Sequence, residues 1–175
     1  MNTKITTAVS VVVGAVVIVA LTLWVASFTL FAGATGAGQG TTSLTLLQAK
    51  PHIVQVNNPV GNEGTLEFFS GDLTTTAGID AGTVAGTILI VDVSDGSRGN
   101  HEARDRTLTF DTPDGEIQAE GLSYYTQNEL ELELGQPVVI SVVGGTGKYL
   151  GATGEVQTTH LADGSYEHVF TLVKR

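Results

Sequence analysis

Between Val142 and Val156 the sequence VVGGTGKYLGATGEV brings glycines, a lysine and a tyrosine together at short spacing, the composition of loops that wrap a phosphate in backbone amides. A phosphate loop needs Gly, four residues, then Gly-Lys-Ser/Thr. Here Gly147-Lys148 is followed by Tyr149, and Val142 occupies the place of the first glycine. A dinucleotide fingerprint begun at Gly145 would put its third glycine on Leu150, and no amphipathic helix follows to offer its N-terminus to a pyrophosphate. What remains is backbone geometry. Gly144, Gly145, Gly147, Gly151 and Gly154 are expected to supply positive φ and close approach at a tight reversal on the rim of a small antiparallel barrel.

The other residues able to do chemistry are scattered. His160 and His168 invite a metal reading, but a two-residue loop at Asp163-Gly164 would pair His160 with Glu167 and Thr159 with His168, placing the imidazoles on opposite faces of a sheet. Residues 95–101 and Arg104-Asp105-Arg106 read as a solvated hairpin of mixed charge. Asp111 and Asp114 lack EF-hand spacing, and no Gly-x-Ser-x-Gly elbow marks a hydrolase. The chain has no cysteine, which excludes disulfides, thiolate metal sites and a cysteine nucleophile. Neither a metal nor a cofactor is expected.

Formal charge is −10 over 175 residues, and the part after residue 34 holds seven basic and 18 acidic residues. So acidic a domain is no partner for nucleic acid, whose phosphates call for clustered Lys and Arg. The first 34 residues are of another kind. Met1 to Lys4 is a short positive region, and residues 8–32 hold no charge, a length that spans a bilayer. Ala32-Gly33-Ala34 has the small-x-small form of a cleavage site, so residues 1–34 read either as a signal peptide or as a single-pass membrane anchor in a hydrophobic helix. Lys4 as the flanking charge favours an extracytoplasmic domain in both cases, secreted or membrane-anchored. Residues 35–43 form a flexible Gly/Thr linker, and residues 44–175 one domain, large enough for a single core.

That domain carries the punctuation of an all-β fold. Strands are expected at 44–49, 52–57, 65–73, 82–93, 103–111, 116–123, 129–134, 137–143, 154–161 and 165–173, between clusters of Gly, Pro, Asn and Asp. Pro113-Asp114-Gly115 and Asp163-Gly164 are hairpin turns, and the spacing argues for an antiparallel meander. In 129–134, Glu and Leu alternate, which points three leucines inward and leaves three solvated glutamates outside. Strands 82–93 and 137–143 are apolar on both pleat faces. A single-layer barrel can bury only one of them, so the other should meet a second subunit or lie under an extended N-terminal arm or a loop.

In wording, the glycine segment resembles the Gly-Gly-Thr/Ser-Gly-x-aromatic/apolar-x-Gly-Ala/Val-x-Gly stretch of the allene oxide cyclase and dirigent families of β-barrels. SGDLTTTAGIDAGT at 70–83 and GEIQAEGLSYY at 115–125 are similar to parts of plant allene oxide cyclases, in which a Ser-Gly-Asp-Leu turn precedes a Gly-rich strand. The similar segments span about 55–172, and the chain resembles an exported, bacterial-type member of this superfamily. The resemblance implies a single antiparallel eight-stranded β-barrel, commonly a homotrimer, with an apolar cavity. The cyclases close a ring on an unstable fatty-acid epoxide, and dirigent proteins steer the coupling of phenolic radicals.

Plant cyclases carry a glutamate followed two residues later by asparagine on the first barrel strand. Aligned through Val54-Gln55-Val56-Asn57, this chain keeps Asn57 but has Gln55 in the acid's place, and an amide is neither general acid nor general base. A second polar asparagine of the cyclases is Leu66 here. These departures argue against plant-type cyclase activity, with Glu63 and Glu67 as the nearest alternative acids. The resemblance leaves Gln55, Asn57, Tyr124 and Tyr125 as ligand-binding candidates. Two functions follow: a barrel that binds a small apolar or aromatic molecule and guides its cyclisation or coupling, isomerase-like, or a non-catalytic ligand-binding or structural barrel at the cell surface. An open apolar lumen lined by Gln55, Asn57 and Tyr124 speaks for the first, and a filled one for the second.

Overall fold

A computed structural model describes residues 40–93 and 99–173; the N-terminal apolar segment lies outside them. The described chain is a meander of β1 (Thr41–Gln48), β2 (His52–Val56), β3 (Leu66–Thr75), β4 (Asp80–Val93), β5 (His101–Thr112), β6 (Gly115–Thr126), β7 (Val138–Gly145), β8 (Thr153–His160) and β9 (Tyr166–Val173), with one 3₁₀ turn at Gly147–Tyr149. Every pairing between these strands is antiparallel, and each strand from β3 to β8 pairs with the next in sequence.

Closure comes from the first two strands. β1 runs antiparallel along the whole of β9, its last three residues pair with Leu73 to Thr75 of β3, and β2 continues along the rest of β3. β1 and β2 thus act as one bent stave, and the sheet is a closed eight-stranded barrel with no open seam between β9 and β3. At the bend a Cβ on Gly71 would come within 2.9 Å of Gln48 Cγ, so only glycine lets the bent stave cross β3 there. Ser70 to Leu73 therefore lies inside a strand and does not form the turn that the resemblance implied.

Inward residues sort into two ends. At the end carrying the β5–β6 turn, Leu46, Leu73, Val84, Leu108, Phe110, Ile117, Val142, Val156 and Phe170 form a dry core. The glycine segment closes this end and drops Tyr149 into it. Positive φ occurs at Gly147, Gly151 and Gly154, whereas Gly144 and Gly145 end β7 without it. A Cβ on Gly145 would stand 2.5 Å from the Glu116 carbonyl oxygen, and one on Gly144 would meet nothing nearer than 3.9 Å.

Residues 129–134 are not the expected strand. Only Leu132 is buried, while Leu130 and Leu134 are exposed. Asn128 turns the chain with a φ of 68°, and the segment's carbonyls go to side chains: Glu129 O accepts from Arg104 Nη2, and Leu132 O from His160 Nδ1. Polar side chains at the barrel mouth have taken the place of a strand partner. The Glu-Leu alternation thus marks a strap across the opening.

Candidate functional site

The mouth half of the lumen is built mainly from β5. Counting back by twos from the buried Phe110 and Leu108, the inner face of this strand carries Arg106, Arg104 and Glu102. Arg104 and Arg106 are 1% and 4% exposed, so the expectation of a solvated hairpin fails for them. Pleat parity carried them inward.

Arg104 is held on all sides. Its Nη1 donates to both Glu67 oxygens at 2.9 Å, and its Nε and Nη2 donate to Glu102 Oε1 at 2.8 and 2.5 Å. The guanidinium carbon lies 4.2 Å from the centroid of the Tyr125 ring. Glu67 also accepts from Gln55 Nε2 at 3.2 Å. Burial holds the Glu67 carboxyl above its ordinary range, against the opposing pull of Arg104.

One layer deeper sits Arg106, among Gln48, Tyr125, Thr158, Tyr166 and His168. His168 is pinned by Thr158 Oγ1 at 3.0 Å from Nδ1 and by Gln48 Oε1 at 2.9 Å from Nε2. Facing an amide oxygen, Nε2 carries the proton, and Nδ1 accepts from the Thr158 hydroxyl. Burial, with the Arg106 charge adding to it, pushes the His168 pKa down to about 3, so the ring is neutral. Burial raises the Tyr125 and Tyr166 phenols as well, and both are un-ionised.

The histidine geometry corrects the expected hairpin. The register pairs Thr158 with His168 and His160 with Tyr166, which puts both imidazoles on the inner face. Leu161 N donates to Ser165 O, so the loop has three residues, and Gly164 adopts a φ of 84°. Asp163 Oδ1 accepts from Ser165 N and so sets the extra residue. His160 stacks on Tyr166 at 4.6 Å, with Nε2 3.9 Å from Glu131 Oε2. Glu131 is thus drawn to the lumen and is not simply solvated. Among the described residues no group of three or more His, Cys, Asp or Glu is placed to hold a metal.

The sequence candidates divide. Gln55 on β2 and Asn57 just past its end line a hollow of about 250 Å³ at the mouth, with Glu102, Arg104 and Leu130. Tyr125 lies deeper, in the lumen. Tyr124 is on the outer face, half exposed, and is not brought together with the other three. Below the mouth the lumen is nearly full: a cavity of about 30 Å³, room for about two waters, remains beside Arg106, Tyr125, Leu132 and Tyr166. The charged and imidazole side chains of the lumen were legible only through strand parity, since His160, His168 and the β5 arginines form no motif in sequence.

No protein-family profile matches the chain, and none of the curated proteins matches it in sequence. Solved structures do. A pyocyanin demethylase is 21% identical over 76% of this chain and 99% of its own, with a TM-score of 0.57. An exo-specific intermolecular Diels-Alderase is 18% identical over 77% and 99%, with a TM-score of 0.59. A pterocarpan synthase dirigent protein is 17% identical over 81% and 88%, with a TM-score of 0.55. The chain shares its barrel fold with these three proteins. At these identities the likeness is one of architecture, and function has to be argued from the site.

Proposed function

We propose that the barrel takes a small apolar or aromatic molecule into the mouth half of its lumen and guides its cyclisation or coupling. The observation that carries this reading is one layer of the lumen in which Phe69, Ile88, Leu132 and two tyrosines wall a space beside Glu67, whose carboxylate is fixed by hydrogen bonds from Arg104. Opened by movement of Leu132, such a layer selects one conformer of a flexible substrate and holds it away from water, which supplies rate and stereochemistry with little acid or base chemistry. Glu67, bonded to Gln55 and to Arg104, is the carboxyl nearest the place of the missing cyclase acid, and burial holds its pKa above the ordinary value. A Diels-Alderase and a dirigent protein among the structures of this fold support the reading.

On this reading the domain works outside the cytoplasm, delivered or anchored by residues 1–34. It assembles as a homotrimer through outer faces on which Leu89, Val91, Val139 and Val143 stand exposed. One observation favours the non-catalytic alternative: a 30 Å³ cavity admits no substrate until Leu132 and the strap over it move.

The test is product stereochemistry. The protein is incubated with an allene oxide, with a diene and dienophile pair, and with oxidatively generated phenoxyl radicals, and enantiomeric excess is compared with a protein-free control. Excess with one of them is expected. Racemic product throughout, with no thermal stabilisation by any apolar or aromatic compound, would overturn the reading in favour of a structural barrel.

A further inference from the structure

Two buried arginines and two buried carboxylates face the mouth half of the lumen, and their charges balance in number but not in space. Arg104 takes both Glu67 and Glu102. Arg106, two residues along the same face, forms no ion pair among the described residues, and its Nε and Nη1 are buried without a hydrogen-bond partner. A cation left so is expensive, because desolvation is paid without a partner charge. Its neighbours on the sheet are Gly121, paired with it on β6, and Arg104 and Leu108 on the same face of β5, none of which carries a negative charge.

We infer that Arg106 is an anchor for an anionic oxygen, a carboxylate or a phenolate, on the molecule that the lumen takes, seated in the cavity beneath Leu132. The inference rests on the ligand-binding reading of the lumen and adds the substrate class. The cavity has the size of a head group and not of a whole ligand. Its surroundings suit an organic monoanion better than a phosphate, for Arg106 is the one cation lining the cavity, the carboxylates of Glu67 and Glu131 also line it and would repel a second negative charge, and the apolar walls are Phe69, Ile88 and Leu132. Donors stand ready beside it, since the Tyr125 and Tyr166 phenols keep their protons. The neutral His168 adds no second positive charge. The apolar body of the ligand then extends toward the mouth hollow, where Gln55, Asn57 and Arg104 lie.

The test compares matched probes on the whole protein: benzoate against benzamide, decanoate against methyl decanoate, and p-nitrophenolate against p-nitroanisole, by thermal shift and by titration. Charge-assisted hydrogen bonds to a buried guanidinium should favour each anion by about tenfold or more. Arg106→Met should abolish that preference while leaving the unliganded protein as stable as before or more so, because an unpaired buried charge is removed. Arg106→Gln, which keeps hydrogen-bond donors, is the second variant should methionine pack badly. Equal binding of anions and neutral counterparts, or an anion preference that survives both variants, overturns the anchor and leaves the lumen reading intact. No binding of any probe to the wild type overturns both.

Discussion

Acid should unfold this barrel through His168. Its imidazole is buried, spoken for at both nitrogens and held neutral, with a folded-state pKa of about 3 against the ordinary 6.5. Between those values the unfolded chain binds a proton that the folded chain refuses. Stability is therefore fully present above pH 6.5 and falls as pH drops, at about 1.4 kcal/mol per pH unit and by roughly 5 kcal/mol on reaching pH 3. That is on the order of the whole stability of a small domain. The assay is urea denaturation at pH 7, 6, 5 and 4, followed by far-ultraviolet circular dichroism, for the wild type and for His168→Gln. Glutamine can still donate to Gln48 and accept from Thr158, but it does not titrate. Glu67 works in the opposite sense: its raised pKa adds stability that is present below the ordinary carboxyl value and lost as pH rises through the folded one. The decisive quantity is thus the difference between the two proteins. It should shrink by about 1.4 kcal/mol per unit as pH falls below 6.5, and parallel curves would refute the neutral, buried assignment.

Three further outcomes are expected. Arg104→Leu strands Glu67 and Glu102 in the lumen and should cost about 3–5 kcal/mol in urea denaturation, part of it regained when both glutamates become glutamine. Gly154→Ala must adopt a φ of 143° with its Cβ 2.0 Å from the Thr171 carbonyl oxygen, and should lower stability by at least about 2 kcal/mol. Leu89→Lys on the outer face should leave circular dichroism unchanged and reduce the sedimenting mass to that of a monomer; a wild type already monomeric at micromolar concentration would remove the interface.

Much of the fold was legible because its signals are local. Pro113-Asp114 separates Thr112 from Gly115, which pair directly, and the turn residues alone place that hairpin. The apolar strands β4 and β7 show their two faces in sequence, Ile88 and Ile90 inward, Leu89 and Val91 outward. Where a segment's partners lie far along the chain, local pattern fails. The alternation in 129–134 is a sound strand signal, overridden because Arg104 and His160 satisfy the carbonyls of Glu129 and Leu132.

The site was lost in a single residue of register. With a two-residue loop at Asp163-Gly164, His168 faces solvent and the lumen holds one histidine; with the three-residue loop that Asp163 enforces, His168 meets Gln48 from β1, 120 residues away. The same parity rule, run outward from Phe110, would have placed Arg106, Arg104 and Glu102 indoors, but charge argued for solvent and prevailed. Buried charge is costly enough that solvent is the sound expectation until partners are known. For Arg104 the partners are Glu67 and Glu102. For Arg106 no described residue forms an ion pair, its Nε and Nη1 make no hydrogen bond, and the cost of burying it so is what the proposed anion would offset.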